Sequence, residues 1–336
     1  MKLGIIGMGS IGKRHVRSLA EIGERDIVAL RTRKGTARDL PPDLAYVHEC
    51  RDEDAFYASK PEGVIVATPT SLHLDAMQGA LRRGIPVFVE KPLVESVERL
   101  NEIPPGMRHL VMTGFCLRYH PVIMAVRAMI ESGLLGTLYT AYLYCGQYLP
   151  LWHPYADYRS EYYSRKELGG GVLRTLSHEL DLACFLCGKV SELTAAAGRI
   201  SGLEIDVEDH AALICRAAGG AVVTIGLDFL NPRSVRRGML IGEHGSIEYS
   251  FDPPAAVFRG HAGGEEQHIG DSSAGAGMRM ADAMYRNQMH DFRAVVRHEK
   301  RPGADFADGA RVMAMIGAAE ASVQSRSWVA VQEEWK

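Results

Sequence analysis

The chain has 336 residues, a formal net charge of −3, and is 46% hydrophobic and 24% charged. This length exceeds one ordinary core and predicts two domains, while the small net charge gives no electrostatic reason for a nucleic acid or an anionic membrane as partner. No apolar run is long enough to span a bilayer, and the six cysteines are scattered, most of them in apolar segments, as expected of buried reduced thiols in a cytoplasmic protein.

Residues 2–6 are apolar and β-prone and predict a buried strand. It opens at residue 2, so no signal peptide is expected before it. Gly7-x-Gly9-x-x-Gly12 follows, with Ser10 and Ile11 inside the turn and apolar residues at helical spacing from Ile11 to Ile22. A strand, a glycine turn and a helix in this order suit a dinucleotide. The first glycine allows the turn, the second lets backbone approach a pyrophosphate at the helix N-terminus, and the third lets helix and strand pack closely. The next strand, Asp26 to Leu30, ends in Arg31-Thr32-Arg33-Lys34. Cations there suit a 2′-phosphate and leave a 2′-hydroxyl without its carboxylate, so NADP is expected as the preferred cofactor, with NAD as the alternative. Val64–Thr68 predicts a strand, Leu72–Leu81 a helix, residues 87–90 a strand, Leu93–Leu100 a helix and Leu110–Thr113 a strand. This alternation predicts an α/β, doubly wound parallel sheet of Rossmann type over residues 1–118. The strand at 87–90 ends in Glu90-Lys91-Pro92, where the Lys91 cation is placed to act on whatever meets a nicotinamide.

The pattern changes after Gly114. A helix over Pro121–Ile130 precedes strands at 137–145, 190–200, 209–216, 221–229 and 239–250, joined by glycine-rich turns that indicate an open, mostly antiparallel sheet. The expectation for residues 119–336 is an α+β substrate and oligomerisation domain. Arg259–Gly277 predicts a mobile surface loop, and helices over Tyr285–Arg297 and Ala310–Val323 close the chain. Arg118 and Tyr119 follow the last parallel strand, where open α/β sheets place ligands, so Arg118 is a candidate substrate residue. Trp152, Tyr158, Arg159, Tyr162, Tyr163, Arg165 and Lys166 form a candidate substrate lid of aromatic platforms with polar rims, or else an interface loop between protomers. His178 and Asp181, three apart, share a helical face; His178 is either an acid/base or a structural His paired with Asp181. Cys184-x-x-Cys187 has no second pair to complete a zinc site. Asp206, Glu208, Asp209 and His210 predict a solvated strand entrance rather than a metal site.

The motifs Gly7-x-Gly9-x-x-Gly12-x-x-His15, Ala67-Thr68-Pro69-Thr70-x-x-His73, Glu90-Lys91-Pro92, Gly114-Phe115-x-x-Arg118-Tyr119-x-Pro121, Gly169 to Asp181, and Ala319-x-x-Ser322 with Trp328-Val329 together resemble the Gfo/Idh/MocA oxidoreductases over the whole chain. The family is named for glucose–fructose oxidoreductase and inositol dehydrogenase. The resemblance implies an N-terminal Rossmann domain and a C-terminal α/β domain that often builds a homodimer or homotetramer. It also implies a site between the domains, with Thr68, Pro69, His73 and Glu90 beside the cofactor, Lys91 at the reacting hydroxyl and ribose, and His178 as the acid/base. Tyr158, Arg159, Arg174 and Thr175 are then substrate candidates.

The chain departs from the family at one position. Most members carry an Asp a turn before the catalytic His, where this chain has Arg174 and Thr175. Three outcomes stay open: an enzyme working with Lys91 and His178 alone, one that recruits Asp157, Glu161 or Asp181, or one that has lost turnover. The expected function is hydride transfer to or from a secondary alcohol or ketone of a sugar, amino-sugar or cyclitol. The alternatives are an NADP-binding sensor and a redox-neutral, NAD-dependent lyase or glycosidase.

Overall fold

Lys2–Ile6 (β1) lies at the middle of a six-stranded parallel sheet completed by Asp26–Leu30 (β2), His48–Cys50 (β3), Gly63–Val66 (β4), Val87–Val89 (β5) and Val111–Thr113 (β6). The order β3-β2-β1-β4-β5-β6 is that of a doubly wound dinucleotide-binding sheet. Apart from the polar edge strand β3 (His48-Glu49-Cys50), these strands are short, largely apolar runs because helices cover both faces. Ser10–Glu21 (α1) buries Val16 and Leu19 along one stripe, and Glu53–Ala58 (α2) and His73–Leu81 (α3) supply the other crossovers. The computed structural model describes residues 1–31, 39–153, 156–264, 266–271, 273, 275–333 and 335.

The second sheet has nine strands, ordered β14-β13-β12-β11-β7-β10-β9-β8-β15. They are Leu138–Gly146 (β7), Val190–Gly198 (β8), His210–Ala217 (β9), Val222–Asp228 (β10), Val235–Gly242 (β11), Gly245–Phe251 (β12), Pro254–Gly260 (β13), Glu266–Gly270 (β14) and Val329–Ala330 (β15). All neighbours run antiparallel except β7 and β10. Along β9, Ala211, Leu213, Cys215 and Ala217 are buried while Ala212, Ile214 and Arg216 face outward, the alternation of a sheet packed on one side. Pro121–Glu131 (α4), Val172–Thr175 (α5) and His178–Cys187 (α6) pack on this sheet, and Ala276–Val296 (α7) and Phe306–Ser325 (α8) carry the chain between the units. The α/β class, the parallel sheet and the mostly antiparallel second sheet follow the expectation. Among the described residues no helix is long and apolar enough to cross a membrane.

One unit comprises Met1–Cys116, Asp282–Ala310 and Trp335–Lys336; the other comprises Leu117–Ala281 and Arg311–Glu334. A single cut at 118/119 follows the first crossing but assigns 282–310 to the second unit, whereas Phe292 and Val296 pack against Gly63 and Phe88 of the first. Three local expectations are corrected. Leu93–Leu100 is not an α-helix. Residues 91–97 run as a series of bends, and only a 3-10 turn at Glu98–Glu102 follows, cut short ahead of Pro104-Pro105. The stretch 239–250 is two strands, β11 and β12, turning at Glu243-His244, a pair without the usual turn residues. The loop expected over Arg259–Gly277 contains β14 and the start of α7. As an edge strand, β14 needs only main-chain pairing with β13, so every residue in it is exposed and no apolar alternation marks it.

Candidate active site

Register aligns the strand ends of the first unit. Ile6 pairs with Leu30 and Val66, Val66 with Val89, and Val89 with Thr113. The turns that follow β1, β4, β5 and β6 therefore emerge side by side at the carboxyl edge, where open α/β sheets bind ligands. Main-chain bonds continue the alignment for one more residue: Ala67 N to Ile6 O at 2.8 Å, Glu90 N to Val66 O at 2.9 Å and Gly114 N to Val89 O at 2.7 Å.

Two glycines of the first turn are needed for space. Gly7 has φ +97°, and a Cβ there would lie 2.4 Å from Ala67 O; a Cβ on Gly12 would lie 2.0 Å from Gly7 O. Gly9 differs. Its φ is −70°, and a Cβ there would meet nothing within 4 Å. Gly9 and Ser10 are exposed, Ile11 is half-buried, no side chain caps α1, and no acidic residue stands in its first turn. The first N–H groups of α1 thus open onto free space beside a glycine, a fit for a pyrophosphate. Across the row, Thr68 Oγ1 is buried with no hydrogen-bond partner among the described residues, and Pro69 is exposed. These residues fit a dinucleotide.

Arg31 follows β2, but its guanidinium is buried against Glu49 of β3, 2.6 Å away. Thr32, Arg33 and Lys34 lie outside the described residues. Glu90, 8% exposed, faces the interior: its Oε1 bonds His15 Nε2 at 2.6 Å and its Oε2 accepts from Lys91 N at 3.3 Å. Burial alone would raise the Glu90 carboxyl, but the His15 bond and charge hold it below the usual carboxylate range. Lys91 is half-buried at the tip of this loop. His73 is buried too, with Nδ1 2.9 Å from Pro92 O and Nε2 3.0 Å from Thr68 O. Sequence reasoning placed Glu90 and His73 at the cofactor without finding these interior partners. The His15 of the first motif was the one available signal.

In the second unit, Gly169 (φ +77°) and Gly171 (φ +105°) turn the chain into α5. A Cβ on Gly171 would lie 2.3 Å from the Glu208 carboxylate, whose Oε1 accepts from Leu173 N at 3.1 Å. Burial raises the Glu208 carboxyl. Asp209 is wholly buried and binds Ile200 N, Ser201 N and Ser201 Oγ. Within the acidic run at 206–210, Asp206 is exposed as expected, but Glu208 and Asp209 are built into the turn rather than solvated. Arg174 pairs with Glu320 at 2.6 Å; Thr175 and His178 are 3% and 8% exposed. Asp181, 1% exposed, takes three hydrogen bonds of 2.6–3.1 Å from Arg118 Nε and Nη2, so this pair anchors α6 one turn past His178. Asp157 is exposed and bound by Arg159, which also reaches Glu204. Tyr158 Oη accepts from Glu204 N, and Tyr163 is core, stacked under Trp152. Burial pushes the Cys184 and Cys187 thiols of α6 up to about 12, and among the described residues no three His, Cys, Asp or Glu gather to hold a metal.

A family profile described as an oxidoreductase family with an NAD-binding Rossmann fold matches residues 1–105, and the GFO/IDH/MocA C-terminal domain matches residues 123–248. Inositol 2-dehydrogenase of Rhizobium meliloti (strain 1021) is 25% identical over 351 aligned positions, covering 98% of this chain and 99% of the relative. Inositol 2-dehydrogenase 2 of Saccharopolyspora erythraea is 28% identical over 350 positions, covering 99% and 96%. A levoglucosan dehydrogenase solved with NADH and levoglucosan superposes with a TM-score of 0.81 at 20% identity, over 98% of this chain and 99% of that one.

Proposed function

The chain belongs to the Gfo/Idh/MocA oxidoreductase family, and from that premise we propose that it is a nicotinamide-dependent dehydrogenase acting on a secondary alcohol or ketone of a sugar, amino-sugar or cyclitol. The observation that carries the reading is the aligned row of strand ends. It brings the open glycine turn, Thr68 and the Lys91 loop to one edge of one sheet. The inositol and levoglucosan dehydrogenases among its relatives support the substrate class.

A bound nicotinamide would supply hydride exchange. The first N–H groups of α1 would hold the pyrophosphate. The Lys91 ammonium would stabilise negative charge on the reacting oxygen; the role of His178 as the group that moves the hydroxyl proton is carried over from the family resemblance. Glu90, held anionic by His15, fixes the main chain at Lys91 and sets a negative charge behind the ammonium. With Arg31 bound to Glu49, preference for the 2′-phosphorylated cofactor rests on Arg33. Self-association through the open face of the nine-stranded sheet, where Tyr142, Ile214 and Val222 are 46%, 43% and 37% exposed, belongs to the same proposal; light scattering during gel filtration tests it.

Lys91→Ala is expected to lower kcat by several orders of magnitude with NADH or NADPH affinity retained, measured over a panel of polyols and keto-sugars. Near-normal turnover refutes the role of Lys91. The sensor reading draws support from the acids: Asp181 and Asp157 are both committed to arginines. Tight cofactor binding with no turnover on any member of the panel favours it.

A further inference from the structure

His73 opens α3 behind the two turns that flank the strand ends β4 and β5, and it is 1% exposed. Both ring nitrogens face main-chain carbonyl oxygens, Nδ1 that of Pro92 at 2.9 Å and Nε2 that of Thr68 at 3.0 Å. A carbonyl oxygen only accepts, and a neutral imidazole carries a single N–H. Both contacts are hydrogen bonds only if the ring holds both protons. In a neutral ring one of them sets a nitrogen lone pair against an oxygen lone pair in a dry site, where an unmade bond is costly.

We propose that His73 is a positioning residue that works as a buried imidazolium, its two N–H groups tying the Thr68 turn to the loop that carries Lys91. The charged group that faces the ring is Glu90, at the end of β5, itself bonded to His15 of α1 and next to Lys91. Burial holds the His73 pKa below that of a free imidazole, and the Pro92 and Thr68 carbonyls and the Glu90 charge offset only part of that shift. The clamp is therefore complete below the His73 pKa and loses one arm as pH rises through it. Losing an arm frees either the Thr68 turn or the Lys91 loop, so one proton sets both the cofactor-side turn and the placement of the ammonium.

This inference leans on the function proposed above only for its kinetic readout. A long-range proton–nitrogen spectrum of the uniformly 15N-labelled protein without cofactor, recorded from pH 8 to pH 5, reads the ring directly, with His73 assigned by the signals missing in His73→Gln. Two protonated nitrogens are expected at the acid end of that range and one at the alkaline end; a ring that keeps an unprotonated nitrogen at pH 5 overturns the proposal. His73→Phe keeps the bulk and removes both donors. It is expected to weaken NADH binding at least tenfold by fluorescence titration and to lower kcat by a similar factor, with an unchanged circular dichroism spectrum. His73→Gln, with one donor arm left, is expected to fall between. Wild-type NADH affinity in His73→Phe means that the ring merely fills space and overturns the proposal. If His73→Phe does not fold, the wild-type nitrogen spectrum decides. A chain that turns over no substrate leaves the spectrum and the titration readable, so failure of the dehydrogenase reading stays distinct from failure of this one.

Discussion

Gly9 and Gly12 sit three residues apart in one turn, yet alanine at each has a different expected consequence. At Gly12 a methyl group would lie 2.0 Å from Gly7 O, a main-chain atom that cannot swing aside. Overpacking of this kind costs about 1–3 kcal/mol, against a gain of about 1 kcal/mol from replacing glycine inside a helix. Gly12→Ala should therefore melt at a lower temperature by a few degrees, since 1 kcal/mol corresponds to roughly 2–4 °C in a unit of this size. At Gly9 the methyl group meets nothing within 4 Å, and the φ of −70° suits any residue. Alanine caps a helix less well than glycine by some tenths of a kcal/mol, and the lost chain entropy of glycine returns about 0.4–1 kcal/mol. Gly9→Ala should thus keep the wild-type melting temperature. Its methyl group occupies the space through which a pyrophosphate approaches the first N–H groups of α1, so NADH should bind at least tenfold more weakly, a loss of about 1.4 kcal/mol. Thermal unfolding monitored by circular dichroism and fluorescence titration with NADH read the two effects separately. Wild-type NADH affinity in Gly9→Ala would show that the open space above Gly9 is not where the dinucleotide lies.

Glu49→Ala removes the carboxylate that holds the Arg31 guanidinium 2.6 Å away, so the ratio of NADPH to NADH affinity should rise by about tenfold in paired titrations; an unchanged ratio places Arg31 away from the ribose. Asp181→Asn leaves a buried Arg118 cation without its counter-charge and should cost about 3–5 kcal/mol in urea unfolding, whereas a loss below 1 kcal/mol would mean that the pair is solvated. His120 stacks on Phe251 and accepts from Val122 N through Nδ1, and burial, with Arg236 nearby, lowers its pKa to about 4. Its folded pKa lies below the unfolded one, so its contribution is complete above about pH 6.5 and is lost as pH falls toward 4, about 3 kcal/mol in all. His120→Gln should flatten that limb of the stability profile, and an unaltered slope between pH 6.5 and 4 would count against it.

The dinucleotide turn was legible because its reasons are local. Gly7, Gly9 and Gly12 answer to a turn of six residues, and Lys91 to the end of a short apolar strand. What stayed hidden depends on partners distant in sequence. Glu90 meets His15 across 75 residues, and nothing in Glu-Lys-Pro says that its carboxylate faces inward. His73 bonds the carbonyl of Pro92, a group that every residue carries and no sequence pattern marks. The basic run after β2 was visible, but its partner Glu49 lies on a strand of three residues, too short to show alternation. Arg118 follows the last parallel strand, as expected of a ligand contact, and yet its guanidinium grips Asp181. The acidic run at 206–210 reads as solvated by composition, whereas Gly171 leaves room for Glu208 to sit inside the turn.

The late return of residues 282–310 to the first unit also dictates an order of events on the ribosome. The segment that builds the parallel sheet emerges early, but Phe292 and Val296, which cover Gly63 and flank Phe88, are translated near the end. Until then the nascent sheet carries a bare apolar flank. Completion of the earliest-made half waits for the last-made helices, and a gene fragment stopped at codon 118 would encode a sheet permanently missing its cover.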